Sequence, residues 1–356
     1  MMIRKLFTVI ILTCWASLAV AAGWLPLIGI PNWVQSGAIF DEIIPNGLYW
    51  PRPLSQEIVD TRSTTKYVTD GGGSGLTTTA INTLPITNAG MLIEPAATNI
   101  ILQSQHFGTT WFTGGGGTGS ISFTDNVGGA PDGTTTAASV TINRSSAADG
   151  AFLNQTQGST VNTYTQSLYF LAKTTADVGK QVSVWYYDGN VKGVQLVTLT
   201  ASWQRFSSAG VVLVGAGSNT ISSFGYLGSA FGGGSQTGAV NFYVWGTQIE
   251  VGTRASSYFT TTTVSATRSK DSAVIQRTGV GKVVFTFSDG SQQTISGIDS
   301  STQFIIPTTL NMPLIARITG YAPIADPPPS NFVYSNDIDG AYFTDEDGAY
   351  MLDSNL

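Results

Sequence analysis

Outside its N-terminus, no stretch of this chain holds apolar residues at the 3.6-residue spacing that a helix face requires. Short runs of alternating or β-branched character take its place between Met91 and Thr263: Ser120 to Thr124, Ala137 to Ile142, Tyr164 to Ala172, Gln181 to Tyr187, Val194 to Thr200, Gln204 to Ser208, Thr220 to Tyr226 and Val240 to Glu250. Turn-forming stretches separate them, among them Gly114 to Gly117, Asp188-Gly189-Asn190 and Phe231 to Ser235. Alternation places successive side chains on opposite faces of a pleated strand, so each run buries one face and wets the other. Eight such strands at this spacing predict an all-β chain built around a jelly-roll β-sandwich.

Composition agrees. Charged residues make up 11% of the 356 residues, against roughly 25% in ordinary soluble domains. Glycine, serine, threonine and asparagine carry the polarity instead, as suits strands joined by many turns. The 42% of hydrophobic residues supplies sizeable cores. A net charge of −6, with no basic run longer than Arg4-Lys5, argues against a nucleic-acid partner.

The N-terminus reads as an export signal or an anchor. Arg4 and Lys5 precede the apolar stretch Leu6 to Val20, and Ala19-Val20-Ala21 fits a small-x-small cleavage site. Residues 1–21 are therefore expected to be a signal peptide. The alternative is an uncleaved membrane segment, because the charge-free run reaches Trp33; Pro26 and Gly29 favour cleavage. Cys14 is the sole cysteine and lies inside this segment, so a mature chain has no disulfide. Stability must then come from burial, bound ions or oligomerisation.

Four further regions are expected. Residues 22–90 form an extended or β region, and 91–263 the sandwich. Residues 270–322 form a smaller C-terminal β domain, with Val283 to Phe287, Ser288-Asp289-Gly290-Ser291 and Gln293 to Ile295 as a hairpin. Residues 323–356 hold the spacer Pro327-Pro328-Pro329 and an acidic tail in which Asp339-Gly340-Ala341-Tyr342 recurs as Asp347-Gly348-Ala349-Tyr350.

Several segments carry a resemblance in a fixed order. Asp60-Thr61-Arg62 to Thr69 is followed by Gly90-Met91-Leu92-Ile93-Glu94-Pro95-Ala96-Ala97-Thr98-Asn99-Ile100-Ile101-Leu102. Trp203-Gln204-Arg205 comes next, then Tyr243-Val244-Trp245-Gly246-Thr247-Gln248-Ile249-Glu250 with Ser257-Tyr258 and Thr267-Arg268. This series resembles tail-fibre and head-spike proteins of tailed bacteriophages that contain a carbohydrate-binding-module-like jelly roll. It departs from the family at Leu171, where lysine is usual, and after Leu84-Pro85, where the usual arginine is missing. The resemblance implies a non-catalytic virion surface protein, a homo-oligomer and often a trimer, whose partners are host-envelope glycans or other virion proteins. An exported carbohydrate-binding protein is the alternative, located in the periplasm or outside the cell; a polysaccharide depolymerase is a third.

The residues offer little catalytic chemistry. No glycine cluster has P-loop spacing, no G-x-S-x-G elbow is present, and His106 stands alone. Paired carboxylates can suffice for glycoside hydrolysis, and Glu94 and Glu250 are the candidates. Their competing role is to accept backbone hydrogen bonds at the sandwich ends, the more frequent use of such residues. No organic cofactor is implied; a structural calcium would draw on the hard oxygens of Asp125, Asp132 and Glu250. Most aromatic residues at alternating positions are expected in the core. Trp185 and Tyr187 are the candidates for an exposed surface on which sugar rings stack.

Overall fold

The computed structural model describes residues 31–69, 75–214 and 220–323, together with the backbone of three short strands near the C-terminus. The expected signal or anchor, Cys14 and the triple proline lie outside the described residues. The first strands are β1 (Ala38–Ile43), β2 (Leu48–Trp50), β3 (Ile58–Asp60), β4 (Lys66–Thr69), β5 (Leu76–Thr79), β6 (Ile86–Thr87), β7 (Gly90–Leu92) and β8 (Ala97–Asn99). The sandwich follows with β9 (Phe112–Gly116), β10 (Ser120–Gly128), β11 (Ala137–Asn143), β12 (Gly150–Gln157), β13 (Asn162–Ala172) and β14 (Gln181–Tyr187). It continues through β15 (Val191–Thr198), β16 (Gln204–Ser207), β17 (Val211–Leu213), β18 (Thr220–Tyr226) and β19 (Val240–Val251). Then come β20 (Ala266–Arg268), β21 (Ala273–Ile275), β22 (Lys282–Phe287), β23 (Gln292–Ser296), β24 (Phe304–Ile305) and β25 (Leu314–Tyr321).

The protein is all-β, and its centre is the jelly-roll sandwich. One sheet has the order β10-β11-β19-β13-β16, with β17 also on β13; the other runs β15-β14-β18-β12-β9. Alternation decides what lies between them. Val182, Val184 and Tyr186 of β14 face inward with Leu153, Phe170, Phe224 and Phe242, while the residues between them face out. At ~25 cal/mol per Å2 of apolar surface removed from water, this shared interior is the main stabilising term.

The outer face of the first sheet is also covered. Trp245, Tyr169 and Tyr258 form a second cluster, with Trp245 and Tyr258 ring centroids 4.4 Å apart. Tyr67 of β4 and Leu76 just across the hairpin in β5 pack onto it. The Trp245 and Ser257-Tyr258 motifs are thus a sheet position and the segment folded over it.

Strands from before and after the sandwich join into one body rather than two. β1 pairs with β25, and that sheet runs β2-β1-β25-β22-β23, with β7 also on β25. A smaller sheet, β24-β21-β3, mixes the same two regions. Phe40, Ile58 and Met91 share a core with Phe285, Ile315 and Ile318. The separation of 22–90 from 270–322 expected from sequence is therefore corrected: the two regions complete each other's sheets. Gly320 allows this pairing, since a Cβ there would lie 1.8 Å from the Phe40 ring. The hairpin expected at Ser288 to Ser291 is present, with Thr286 opposite Gln292.

In the tail, β26 (Ser335–Asp337), β27 (Gly340–Thr344) and β28 (Tyr350–Met351) pair antiparallel in that order. Parts of the two repeat copies therefore fall on neighbouring strands.

Candidate functional site

The outer face of the sheet β15-β14-β18-β12-β9 is the candidate site, and strand register specifies its surface. Trp185 lies opposite Ser223, Ser223 opposite Asn154, and Asn154 opposite Phe112, giving a row across four strands. The next row runs Leu196, Ser183, Gly225, Phe152 and Gly114. Gln181 and Thr198 lie beyond it on the same face, and Tyr187 and Thr156 lie on the other side of the Trp185 row. None of these positions is charged. Seven residues of β14 at ~3.3 Å each make the face about 20 Å long, enough for a short oligosaccharide.

Two aromatic side chains project from its rim, Phe112 at 59% exposure and Phe231 at 61%. Phe231 belongs to a glycine-rich loop between β18 and β19. That loop borders the face: a Cβ on Gly232 would touch Val194 at 3.7 Å, and one on Gly234 would touch Leu196 at 3.5 Å. The sequence pattern marks Gly114 to Gly117 and Phe231 to Ser235 as turns and singles out neither side chain; the first of these stretches instead lies largely in β9. The available signal was an aromatic residue adjoining a glycine run, where no neighbouring side chain could cover it.

Of the two sugar-stacking candidates, Tyr187 is 37% exposed on this face. Trp185 is corrected. It lies on the same face but is only 3% exposed, packed edge-to-face against Phe152 at 5.1 Å. Phe152 can lean that way because Gly114 and Gly225 flank it; a Cβ at Gly114 would meet its ring at 2.3 Å. Trp185 therefore forms the floor of the face.

The calcium candidates do not come together. Asp125 accepts backbone N–H groups of Phe107, at 3.0 and 3.1 Å, and of Gly108 at 3.0 Å. Asp132 accepts from the backbone and hydroxyl of Thr134 in its own turn. Glu250 accepts from Gln248 Nε2 at 2.7 Å and Ser256 N at 2.9 Å, as well as from Ser256 Oγ. Carboxylates engaged with donors in this way do not fit a shared cation, and among the described residues no cluster of three or more His, Cys, Asp or Glu side chains is placed to hold one.

Glu94 and Glu250 line one cavity of about 360 Å3, which also includes Arg254, Thr308, Leu310 and Asn311. Consecutive residues brace the pair: Ser256 N donates to Glu250, and Ser257 N donates to Glu94 at 2.8 Å. Glu94 also lies 2.9 Å from Lys66 Nζ and 3.6 Å from Arg268 Nη2. Burial pushes its carboxyl up, but these two cations and the hydrogen bonds outweigh burial and hold it below the ordinary glutamate range. A carboxylate so committed is poorly suited to donate a proton as a general acid.

Lys66 and Arg268 extend this pair into a buried network. Arg62 Nη1 contacts Asp60 and Asp271, each at 2.9 Å, and Lys66 Nζ contacts Asp271 at 2.6 Å. Three carboxylates thereby balance three cations. The sequence segments around Arg62, Glu94 and Arg268, far apart in the chain, meet here. They hold the sandwich against the flanking body, so these parts of the resemblance serve architecture rather than a ligand site.

No protein-family model matches the chain, and no curated protein sequence matches it. Among solved structures, the chain is similar to the enzymatically active domain of tailspike protein 4 of bacteriophage CBA120, at 12% identity over 43% of this chain and 21% of that one, with a TM-score of 0.30. It is similar to the family 11 carbohydrate-binding module of Clostridium thermocellum, at 12% identity over 44% of this chain and 96% of that one, TM-score 0.29. A third likeness is to carbohydrate-binding modules of the β-sandwich superfamily, at 14% identity over 52% and 72%, TM-score 0.33.

Proposed function

We propose that the sandwich is a non-catalytic glycan-binding module of a virion fibre or spike protein, and that a sugar chain lies along the outer face of the β15-β14-β18-β12-β9 sheet. The observation that carries this reading is the make-up of that face. Phe112, Phe231 and Tyr187 offer exposed rings beside the uncharged polar side chains of Asn154, Thr156, Gln181 and Thr198, while Ser223 is buried in the floor between them. Aromatic faces match the C–H face of a pyranose, and uncharged donors and acceptors match its hydroxyls. The absence of charge on the face favours a neutral glycan.

Phe112→Ala and Tyr187→Ala are each expected to weaken binding of the full chain to a neutral polysaccharide by about tenfold, equivalent to ~1.4 kcal/mol. The unfolding midpoint should barely move, because these side chains are exposed. Affinity electrophoresis with thermal unfolding of the same samples checks this; unchanged mobility in both variants would remove the face from the binding account.

Glu94 and Glu250 are the candidate carboxylates for a depolymerase activity. The expected result is that polymer length stays constant on incubation with the protein. Shortening that disappears in Glu250→Gln would replace the non-catalytic reading. Export is the second reading of location, favoured by Arg4-Lys5 and the apolar Leu6 to Val20. N-terminal sequencing separates the two: a start near Ala22 on secreted protein supports export, and an intact Met1 on particles supports a virion.

A further inference from the structure

Arg144 is almost fully buried, and among the described residues no carboxylate lies within ion-pair distance of it. Its donors converge on five backbone carbonyls. Nε donates to Gln236 O at 2.7 Å, and Nη1 donates to Leu227 O at 2.8 Å, Asp149 O at 2.9 Å and Ala147 O at 3.1 Å; Nη2 donates to Gly234 O. The guanidinium lies over the Tyr226 ring, 4.2 Å from its centroid. It acts as a bound cation would, gathering oxygens from two loops at one point.

Three of those carbonyls belong to the loop that borders the candidate face. Tyr226 Oη donates to Gly238 O at 3.2 Å, and Gln236 Nε2 donates to the same hydroxyl. Gln236 Oε1 in turn accepts from Gln181 N of β14 at 2.9 Å. Contacts at Leu227, Gly234, Gln236 and Gly238 thus fix both arms of the loop, with Phe231 at its exposed tip.

We infer that Arg144 is a positioning residue for glycan binding: it pins the Leu227–Gly238 loop so that Phe231 is held at the rim of the face. This rests on the glycan-binding reading above. An unpinned loop would have to be ordered each time a ligand bound, and that cost would appear as lost affinity.

The test uses the full chain, with Arg144→Met, Phe231→Ala and the double variant, titrated with soluble neutral β-glucan, xylan and galactan. Backbone hydrogen exchange is followed on the same proteins. Arg144→Met is expected to speed exchange at residues 228–238, leave the β14 and β18 amides protected, and weaken binding about tenfold. The double variant should bind no more weakly than Phe231→Ala, because Arg144 acts through that ring. Additive losses, or full affinity with a loosened loop, would overturn the inference. If Arg144→Met does not fold, Tyr226→Phe removes only the hydroxyl links and should shift both readouts in the same direction by a smaller amount; no shift in either would overturn it. Failure of the wild-type chain to bind any of these glycans would remove the glycan-binding reading and this role with it, whereas unchanged loop exchange in a binding-competent chain would count against Arg144 alone.

Discussion

Replacing Glu42 with glutamine is expected to stabilise the protein at pH 8 by about 2–4 kcal/mol while leaving its stability near pH 4 almost unchanged. Glu42 is fully buried on β1, opposite Tyr49 and Ile318, and neither carboxyl oxygen has a hydrogen-bond partner. Burial pushes its pKa up to about 9, helped by Glu57 and Asp41, with only partial relief from Arg277 and the nearby Trp50 backbone. The folded state therefore keeps a proton that the unfolded chain has already lost above about 4.5. Between those two values folding takes up a proton, so stability falls as pH rises and levels off above about 9. Glutamine imitates the protonated acid at every pH and removes the slope. Denaturant unfolding of both proteins from pH 4 to 9 checks this. Parallel stability curves would mean that Glu42 is charged and satisfied in the fold.

Loss of Asp271 should be the most damaging single change in the charge network. Its carboxylate contacts Arg62 and Lys66 and also accepts the backbone N–H of Glu94 at 2.7 Å. Asp271→Ala leaves two buried cations short of a partner, an imbalance that costs about 3–5 kcal/mol. Chemical unfolding of the variant gives the value, and a loss below ~1 kcal/mol would show that water enters to replace the carboxylate. Glu94 adds an acid limit in the same region. Its lowered pKa contributes stability that is present above the unfolded glutamate value and is lost as pH falls through the folded one. With Glu42 acting in the opposite direction at higher pH, these two groups together favour a stability maximum in mildly acidic solution.

The sandwich was readable because its information is local. Strands such as Gln181–Tyr187 and Val240–Val251 carry their own alternation or apolar runs, and turns such as Asp188-Gly189-Asn190 mark their ends. The flanking body was not readable. Asp41 accepts a hydrogen bond from Thr319, 278 residues away in sequence, and nothing near Asp41 specifies that partner. Glu94 stood out as a carboxylate in an apolar setting, and its backbone hydrogen bond from Ser257 matches the structural role weighed for it. Its cations could not be assigned, since Lys66 and Arg268 come from opposite sides of the sandwich sequence. Trp185 shows the limit of alternation: period two correctly places it on the outer face, but burial there depends on Phe152 leaning into space left by Gly114 and Gly225 on adjoining strands. Phe112 and Phe231 escaped for the converse reason, because exposure is the lack of neighbours that only the fold reveals.

The most direct test of the central claim is titration of the full chain and its Phe112→Ala/Phe231→Ala double variant with neutral and anionic polysaccharides, at low and high salt. Saturable binding to a neutral glycan, insensitive to salt and lost in the double variant with the fold intact, is the predicted result. Binding that persists undiminished in the double variant, or that appears only with anionic polymers and fades with salt, would contradict it.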